Sequence, residues 1–334
     1  MEKILDIRDL HVSFTTFGGE VQAVRGVNLE LYQGETLAIV GESGCGKSVT
    51  ANSIMRLIPE PPGRIKQGSI LFKGQDMTKL SQKQIRSIRG VDISMIFQDP
   101  MTALNPTLTV GDQLTEGLKQ HRKISNKEAK AQAVSMLNLV GIPNPDERMK
   151  QYPHQFSGGM RQRIVIAMAL ICEPELLIAD EPTTALDVTI QAQILQLFRK
   201  IQKETGVSII LITHDLGVVA KIADRIAVMY AGKVVETGTR REIFYTPNHP
   251  YTKGLLHSVP RLDQKGEKLI PIEGTPPDLF APPEGCPFTA RCPAAMEVCG
   301  RVQPVHTELS TTHAVECWLQ DERARTYMAT IKGS

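Results

Sequence analysis

Eight residues near the start of the chain, Gly41-Glu42-Ser43-Gly44-Cys45-Gly46-Lys47-Ser48, fill the template G-x-x-x-x-G-K-[ST] without a mismatch. The flanks suit it. Glu35 to Val40 is a short apolar run of strand character, and Val49 to Leu57 carries neither Gly nor Pro and reads as a helix. A loop in this setting wraps a phosphate chain in backbone N–H groups, which needs glycine where a side chain would block approach or φ must be positive. The following helix adds the positive end of its dipole. Gly41, Ser43, Gly44, Cys45, Gly46, Lys47, Ser48 and Val49 are therefore the expected nucleotide-contacting set. Lys47 would reach the β- and γ-phosphates and the Ser48 hydroxyl would ligate Mg²⁺. A Gly-rich turn closing a hairpin would share the glycines but not the strand before and the helix after.

With 334 residues the chain has room for a catalytic domain and a smaller second unit. Its 38 Lys and Arg against 36 Asp and Glu leave a net charge of +2, which gives no electrostatic support for a nucleic-acid partner. No apolar run reaches the roughly 18 residues of a membrane span; the longest lie near Ile164 to Cys172 and Ser208 to Thr213. Met1 to Phe14 alternates apolar and polar residues like an edge strand and lacks the apolar core of a signal peptide. The expectation is a cytoplasmic chain that meets a membrane through partners. Four of the six cysteines, Cys286, Cys292, Cys299 and Cys317, fall near the C-terminus, a grouping that in a cytosolic chain favours metal over disulfides.

Ile4 to Phe14 and Val21 to Leu31 read as strands joined by a turn at Phe17 to Glu20. Pro59 to Gly63 breaks the helix after the phosphate loop, Gly68 to Phe72 resumes strand character, and Val91 to Phe97 is a further β-prone run ending at Gln98. From Thr109 to about Gln151 apolar residues recur at helical spacing, as an all-helical insertion would require. Ser157 can cap a helix running to Cys172, and Glu173-Pro174 ends it. Leu176 to Ala179 leads as a buried-type strand into Asp180-Glu181, and Ser208 to Thr213 leads likewise into His214. Arg225 to Tyr230 and Lys233 to Thr237 form a last hairpin, with a helix over Thr239 to Phe244. The predicted class is α/β, with a mainly parallel sheet that presents ligand-binding residues at its carboxyl edge.

Asp180 at such a strand end is placed to hold Mg²⁺, and Glu181 beside it can orient or deprotonate an attacking water. His214 is placed to contact the γ-phosphate. Together with the phosphate loop, Gln98 after a strand, Phe156-Ser157-Gly158-Gly159-Met160, Ile178 to Glu181, Ala185-Leu186-Asp187 and His214 stand in the order of an ABC transporter ATPase subunit, which the chain resembles over about residues 4 to 245. The resemblance implies an ABC ATPase core, with an antiparallel β subdomain and a helical subdomain at about 100–170. It implies adenine stacking by Phe14, with Phe17 as competitor, Mg²⁺ ligation and partner sensing by Gln98, and catalytic roles for Glu181, His214 and Gln98. It further implies that Ser157, Gly158 and Gly159 complete the ATP site of a second ATPase subunit, with Asp187 at the dimer contact. Met160 departs from the family's usual glutamine.

After Tyr245 prolines crowd the chain and the character becomes that of a separate, loop-rich tail, so the expected domains are 1–245 and 246–334. Asn248 to Thr252, Gly274 to Pro277, Gly285 to Phe288 and Arg291 to Pro293 with the four cysteines resemble the C-terminal extension of dipeptide and oligopeptide importer ATPases. That implies peptide import, a nonidentical second ATPase, two transmembrane permease subunits, an extracellular peptide-binding protein and a place on the cytoplasmic face of the membrane. The spacing C-x5-C-x6-C-x17-C suits a [4Fe–4S] cluster on Cys286, Cys292, Cys299 and Cys317. Zinc, which favours tighter pairs, and free buried thiols are the alternatives. Cys45 and Cys172 fall outside this set. Import of nickel or another small solute, and a soluble ABC ATPase acting on nucleic acid or ribosomes, are the competing functions; a redox or iron sensor in the tail is compatible with transport.

Overall fold

The computed structural model describes residues 2–98, 100–122, 124–183, 187–258 and 271–324. In chain order its elements are β1 Lys3–Thr16, β2 Gly19–Tyr32, β3 Thr36–Val40, α1 Lys47–Ile54, β4 Gly63–Phe72, β5 Gln75–Asp76, α2 Gln82–Ile88 and β6 Ile93–Ile96. The helices α3 Pro100–Ala103, α4 Val110–His121, α5 Asn126–Leu139, α6 Pro145–Arg148 and α7 Gly158–Leu170 follow. Then come β7 Leu176–Asp180, α8 Val188–Thr205, β8 Ser208–Thr213, α9 Leu216–Ile222, β9 Arg225–Tyr230, β10 Lys233–Thr239 and α10 Arg240–Tyr245. The chain beyond adds α11 Pro250–His257, α12 Glu297–Arg301, β11 His306–Glu308 and β12 Ala314–Glu316.

Two sheets organise these elements. The larger has the order β11-β12-β10-β9-β3-β8-β7-β6, parallel from β9 through β6 and antiparallel in β10, β12 and β11. The smaller, β2-β1-β4-β5, is antiparallel throughout. Every residue of β3, β7 and β8 is buried, because both faces of the large sheet are covered and the strands need no polar face. The two-residue side-chain period sorts them. Leu176, Ile178, Ile210 and Ile212 join a cluster with Leu37, Ile39 and the small sheet. Leu177, Ala179, Ile209 and Leu211 face the helices, where Leu114, Leu118, Ala133, Leu137, Ile164 and Ile166 pack at 0–1% exposure.

Local chemistry sets several boundaries. Thr109 and Ser125 cap α4 and α5 through their side-chain oxygens, and Asp187 caps α8 by accepting the Ile190 N–H at 2.9 Å. The helix expected to run to Cys172 stops at Leu170. Strand β4 begins at Gly63 rather than Gly68, because Phe14 of β1 pairs with Gly63 and extends the ladder.

The tail expected to stand apart is built into the core. Val315 and Ala314 pair with Glu236 and Thr237 of β10, so β12 extends the large sheet. Cys286, Phe288 and Cys299 pack in one cluster with Val40, Val228, Tyr230 and Tyr251. Glu236, 1% exposed, clasps the joint: its carboxylate accepts the Asn248 and His249 N–H groups at 2.7 and 3.0 Å and lies 2.8 Å from His313 Nε2.

Candidate nucleotide site

The phosphate loop leaves the carboxyl end of β3, a central strand, and enters α1 through Gly46, which has φ 100°. A Cβ on Gly46 would lie 2.5 Å from the Ala23 carbonyl oxygen, and one on Gly41, where φ is 155°, only 2.2 Å from that of Met229. Both contacts are with backbone, so neither position can take a side chain without moving a strand. Lys47, 5% exposed, donates from Nζ to the Gly41 and Glu42 carbonyls at 2.8 and 2.9 Å. The loop thus holds its cation over its own concave side. Ser43, Gly44 and Ser48 are exposed, while Cys45 is 5% exposed and burial pushes its thiol up.

Asp180 ends β7, two strands from β3, and its Oδ1 accepts the Ser48 hydroxyl at 3.0 Å. Burial pushes the Asp180 carboxyl up, opposed by that hydrogen bond and by Lys47. A hydroxyl and a carboxylate are the hard oxygen donors that Mg²⁺ takes, so Ser48 and Asp180 fit it. Glu181 follows in a left-handed conformation, φ 48°. Gln98 Nε2 donates to its Oε2 at 3.1 Å and His214 Nδ1 lies 3.2 Å from its Oε1. Three strand ends, β6, β7 and β8, therefore bring Gln98, Glu181 and His214 into one hydrogen-bonded row.

The other expected residues lie elsewhere. Ser157 caps α7, accepting the Met160 N–H at 3.4 Å, and Ser157 and Gly158 are exposed. Gly159 is tighter, since a Cβ there would meet Ile190 at 2.9 Å. Asp187 is exposed apart from its capping bond; Ala185 and Leu186 of the same motif lie outside the described residues. Phe14 is half-buried against the core with its ring beside Gly63, and Phe17 is fully exposed. Val49 packs, partly buried, against the core. Sequence reasoning missed two residues that touch the loop: Tyr251, whose hydroxyl accepts the Glu42 N–H at 2.9 Å, and Arg291, paired with the Glu42 carboxylate.

The metal expected on the cysteines meets a different arrangement. All four thiols are free, Cys286 and Cys299 buried, Cys292 and Cys317 half-buried. Cys286, Cys292 and Cys299 lie in one apolar cluster. Yet among the described residues no group of three or more His, Cys, Asp or Glu could hold a metal ion. Neither the [4Fe–4S] cluster nor zinc gains support from this arrangement. Burial pushes the Cys286, Cys292 and Cys317 thiols up, Cys317 to about 12, while Cys286, Cys292 and Cys299 contribute apolar packing around Phe288 and Tyr251.

A phosphate loop at the centre of a parallel sheet, with Ser48, Asp180, Glu181 and His214 at neighbouring strand ends, defines a phosphate-loop ATPase. Residues 24–184 match the ABC transporter family, and residues 235–299 match the family described as oligopeptide/dipeptide transporter, C-terminal region. The dipeptide transport ATP-binding protein DppD of Bacillus subtilis is 71% identical over 97% of both chains, and the oligopeptide transport ATP-binding protein OppD of Salmonella typhimurium is 53% identical over 90% of both. Among solved structures, the dimeric post-hydrolysis state of the ATP-binding cassette MJ0796 bound to ADP and phosphate superposes with a TM-score of 0.63 at 28% identity, covering 71% of this chain and 99% of that one. The chain belongs to the ABC transporter ATP-binding family, in its dipeptide and oligopeptide branch. Among the described residues no helix is long and apolar enough to cross a membrane.

Proposed function

We infer that the chain hydrolyses ATP to drive import of dipeptides and oligopeptides through two transmembrane permease subunits, fed by an extracellular peptide-binding protein. The 71% identity to a dipeptide transport protein over nearly the whole chain carries this reading. The chain then sits on the cytoplasmic face of the membrane, held there by its permeases. Its division at about residue 245 into ATPase domain and extension is supported by the two separate family matches, at residues 24–184 and 235–299.

In the reaction, Lys47 holds the β- and γ-phosphates while the loop N–H groups and the α1 dipole take up their charge. Ser48, Asp180 and Gln98 would hold Mg²⁺, which supplies charge neutralisation between the phosphates. Glu181 accepts the proton of the attacking water, with Gln98 and His214 fixing its carboxylate in place. Phe14 is assigned to the adenine ring. The exposed α7 N-terminus at Ser157-Gly158-Gly159, with Asp187, faces the nucleotide of a second, nonidentical ATPase subunit, so that ATP joins the two head to tail. Closure and reopening of that pair are what the permeases read. The test is uptake of a labelled dipeptide into vesicles holding the assembled transporter: Glu181→Gln in this chain abolishes uptake while peptide capture persists. Uptake at the unmodified rate would overturn the reading.

The four thiols are assigned to a [4Fe–4S] cluster. The spacing C-x5-C-x6-C-x17-C, and the main-chain bond from Cys286 N–H to the Cys299 carbonyl at 2.7 Å that brings two of the four together, support this. Anaerobic purification then yields a brown protein with broad absorbance near about 400 nm, the sulfide-to-iron charge-transfer region, and Cys292→Ser loses it. A colourless, iron-free protein prepared under those conditions would leave the thiols as packing groups.

A further inference from the structure

Glu42 is the second residue of the phosphate loop, and its side chain is held from outside the ATPase core. Arg291 meets its carboxylate with both terminal nitrogens, Nη1 to Oε2 at 2.6 Å and Nη2 to Oε1 at 3.0 Å, the paired geometry that is strongest between guanidinium and carboxylate. The arginine side chain is 4% exposed. It is fixed on every side: Nε donates to the Glu273 carbonyl at 2.9 Å, Nη2 to that of Ile272 at 3.1 Å and Nη1 to the Tyr230 hydroxyl at 3.2 Å. Its guanidinium lies 5.7 Å and 6.0 Å from the ring centres of Tyr230 and Phe288. The main chain of the same residue is held too, the Glu42 N–H donating to the hydroxyl of fully buried Tyr251.

We propose that the C-terminal extension sets the shape and charge of the phosphate loop through Glu42, with Arg291 and Tyr251 as positioning residues for nucleotide binding. A carboxylate one residue into a loop that must receive a polyanion opposes binding unless it is neutralised and turned away. Arg291 does both. Tyr251 fixes the Glu42 peptide, so the N–H groups after it stay aimed at the phosphates. Arg291 itself sits on the turn from Cys286 to Cys292, which is clamped to α12 by Cys286 N–H to Cys299 O at 2.7 Å and by the Thr289 hydroxyl between the Cys286 and Cys299 carbonyls. Disturbing that thiol-bearing turn is therefore felt at the nucleotide.

The inference rests on Gly41 to Ser48 being the nucleotide site, and its test separates the two. Affinity for a fluorescent ATP analogue with Mg²⁺ is measured on the purified full-length chain for the wild type, Arg291→Gln, Arg291→Lys, Glu42→Gln and the double variant Glu42→Gln/Arg291→Gln. Arg291→Gln weakens binding on the order of tenfold, the scale of a typical coupling between sites, with kcat falling less than KM rises. Arg291→Lys restores part of the loss by keeping the charge. In the Glu42→Gln background the Arg291→Gln change has little further effect, whereas an arginine that only packs the extension would cost the same in both backgrounds. Equal affinities across the set, or losses that simply add in the double variant, overturn the proposal. If Arg291→Gln does not fold, the soluble Arg291→Lys chain decides it: it must bind more weakly than the wild type, and the same change made on Glu42→Gln must cost little further. A wild-type chain that binds no nucleotide would overturn the phosphate-loop reading and this inference with it.

Discussion

The Ser48 hydroxyl donates to Asp180 Oδ1 across 3.0 Å, tying the first turn of α1 to the carboxyl end of β7, 132 residues away in sequence. Both oxygens then lie where a cation beside the phosphates needs them. Ser48→Ala removes one ligand and leaves Asp180 buried without its hydroxyl. The expected result is a rise of about tenfold in the Mg²⁺ concentration for half-maximal ATPase activity, since a hydrogen bond to a charged group is worth about 1.5–3 kcal/mol. A Mg²⁺ titration of phosphate release checks it, and an unshifted midpoint would remove Ser48 from the metal site.

Gln98 and His214 both contact the Glu181 carboxylate, and they hold it rather than replace it. Glu181→Gln keeps the shape and removes the base, so hydrolysis falls about 10²–10⁴-fold while ATP binding persists. His214→Ala leaves the base in place with one support fewer, so its loss is smaller. Phosphate release together with equilibrium binding separates the two. Equal rates for Glu181→Gln and the wild type would put the base elsewhere.

Ser157 and Gly158 are exposed at the N-terminus of α7. Ser157→Arg therefore leaves ATP affinity of the isolated chain near the wild-type value and abolishes ATP-dependent pairing with the second ATPase subunit. Light scattering of the mixed subunits, with ATP and Glu181→Gln to prevent turnover, reads the mass directly. Undiminished pairing would take the signature out of the interface.

Much of this site was legible because its signals are local. Gly41 to Ser48 carries its chemistry in eight consecutive residues, and Asp180-Glu181 and His214 each follow an apolar run that two-sided burial makes unmistakable. What escaped depends on contacts between distant residues. Arg291 and Glu42 lie 249 positions apart, and nothing in the Ala290-Arg291-Cys292 stretch marks the arginine as a partner of the phosphate loop. Strands β11 and β12 have three residues each, too few to show alternation, so the tail looked separate although Val315 pairs with Glu236. The proline-rich turn before Gly63 hid the first half of β4, where pairing with β1 overrides local preference.

Glu236 is a buried carboxylate with three partners, two of them the N–H groups that open α11. Glu236→Gln keeps the volume but turns one acceptor into a donor facing N–H groups. A buried donor left without its acceptor costs about 1–3 kcal/mol, so a clear drop in melting temperature is expected, with the extension becoming sensitive to protease before the ATPase core. An unchanged melting curve would mean that the joint between them is held by apolar contacts alone.

His249 gives that joint a pH dependence of defined sign. It is 1% exposed, its Nδ1 accepts the Tyr251 N–H at 3.0 Å, and burial with Lys253 nearby lowers its pKa from the ordinary 6.5 to about 3. Between those two values the unfolded chain binds a proton that the folded chain refuses, so stability is fully present above about pH 6.5 and declines as the pH falls toward 3. Each unit of that window costs up to about 1.4 kcal/mol. The cleanest range is pH 6.5 to 5, before most carboxylates titrate. Melting temperature followed across it falls in the wild type, and His249→Gln, which keeps a hydrogen-bond acceptor but cannot take the proton, shows a shallower slope. Parallel curves for the two chains would assign the acid sensitivity to other groups.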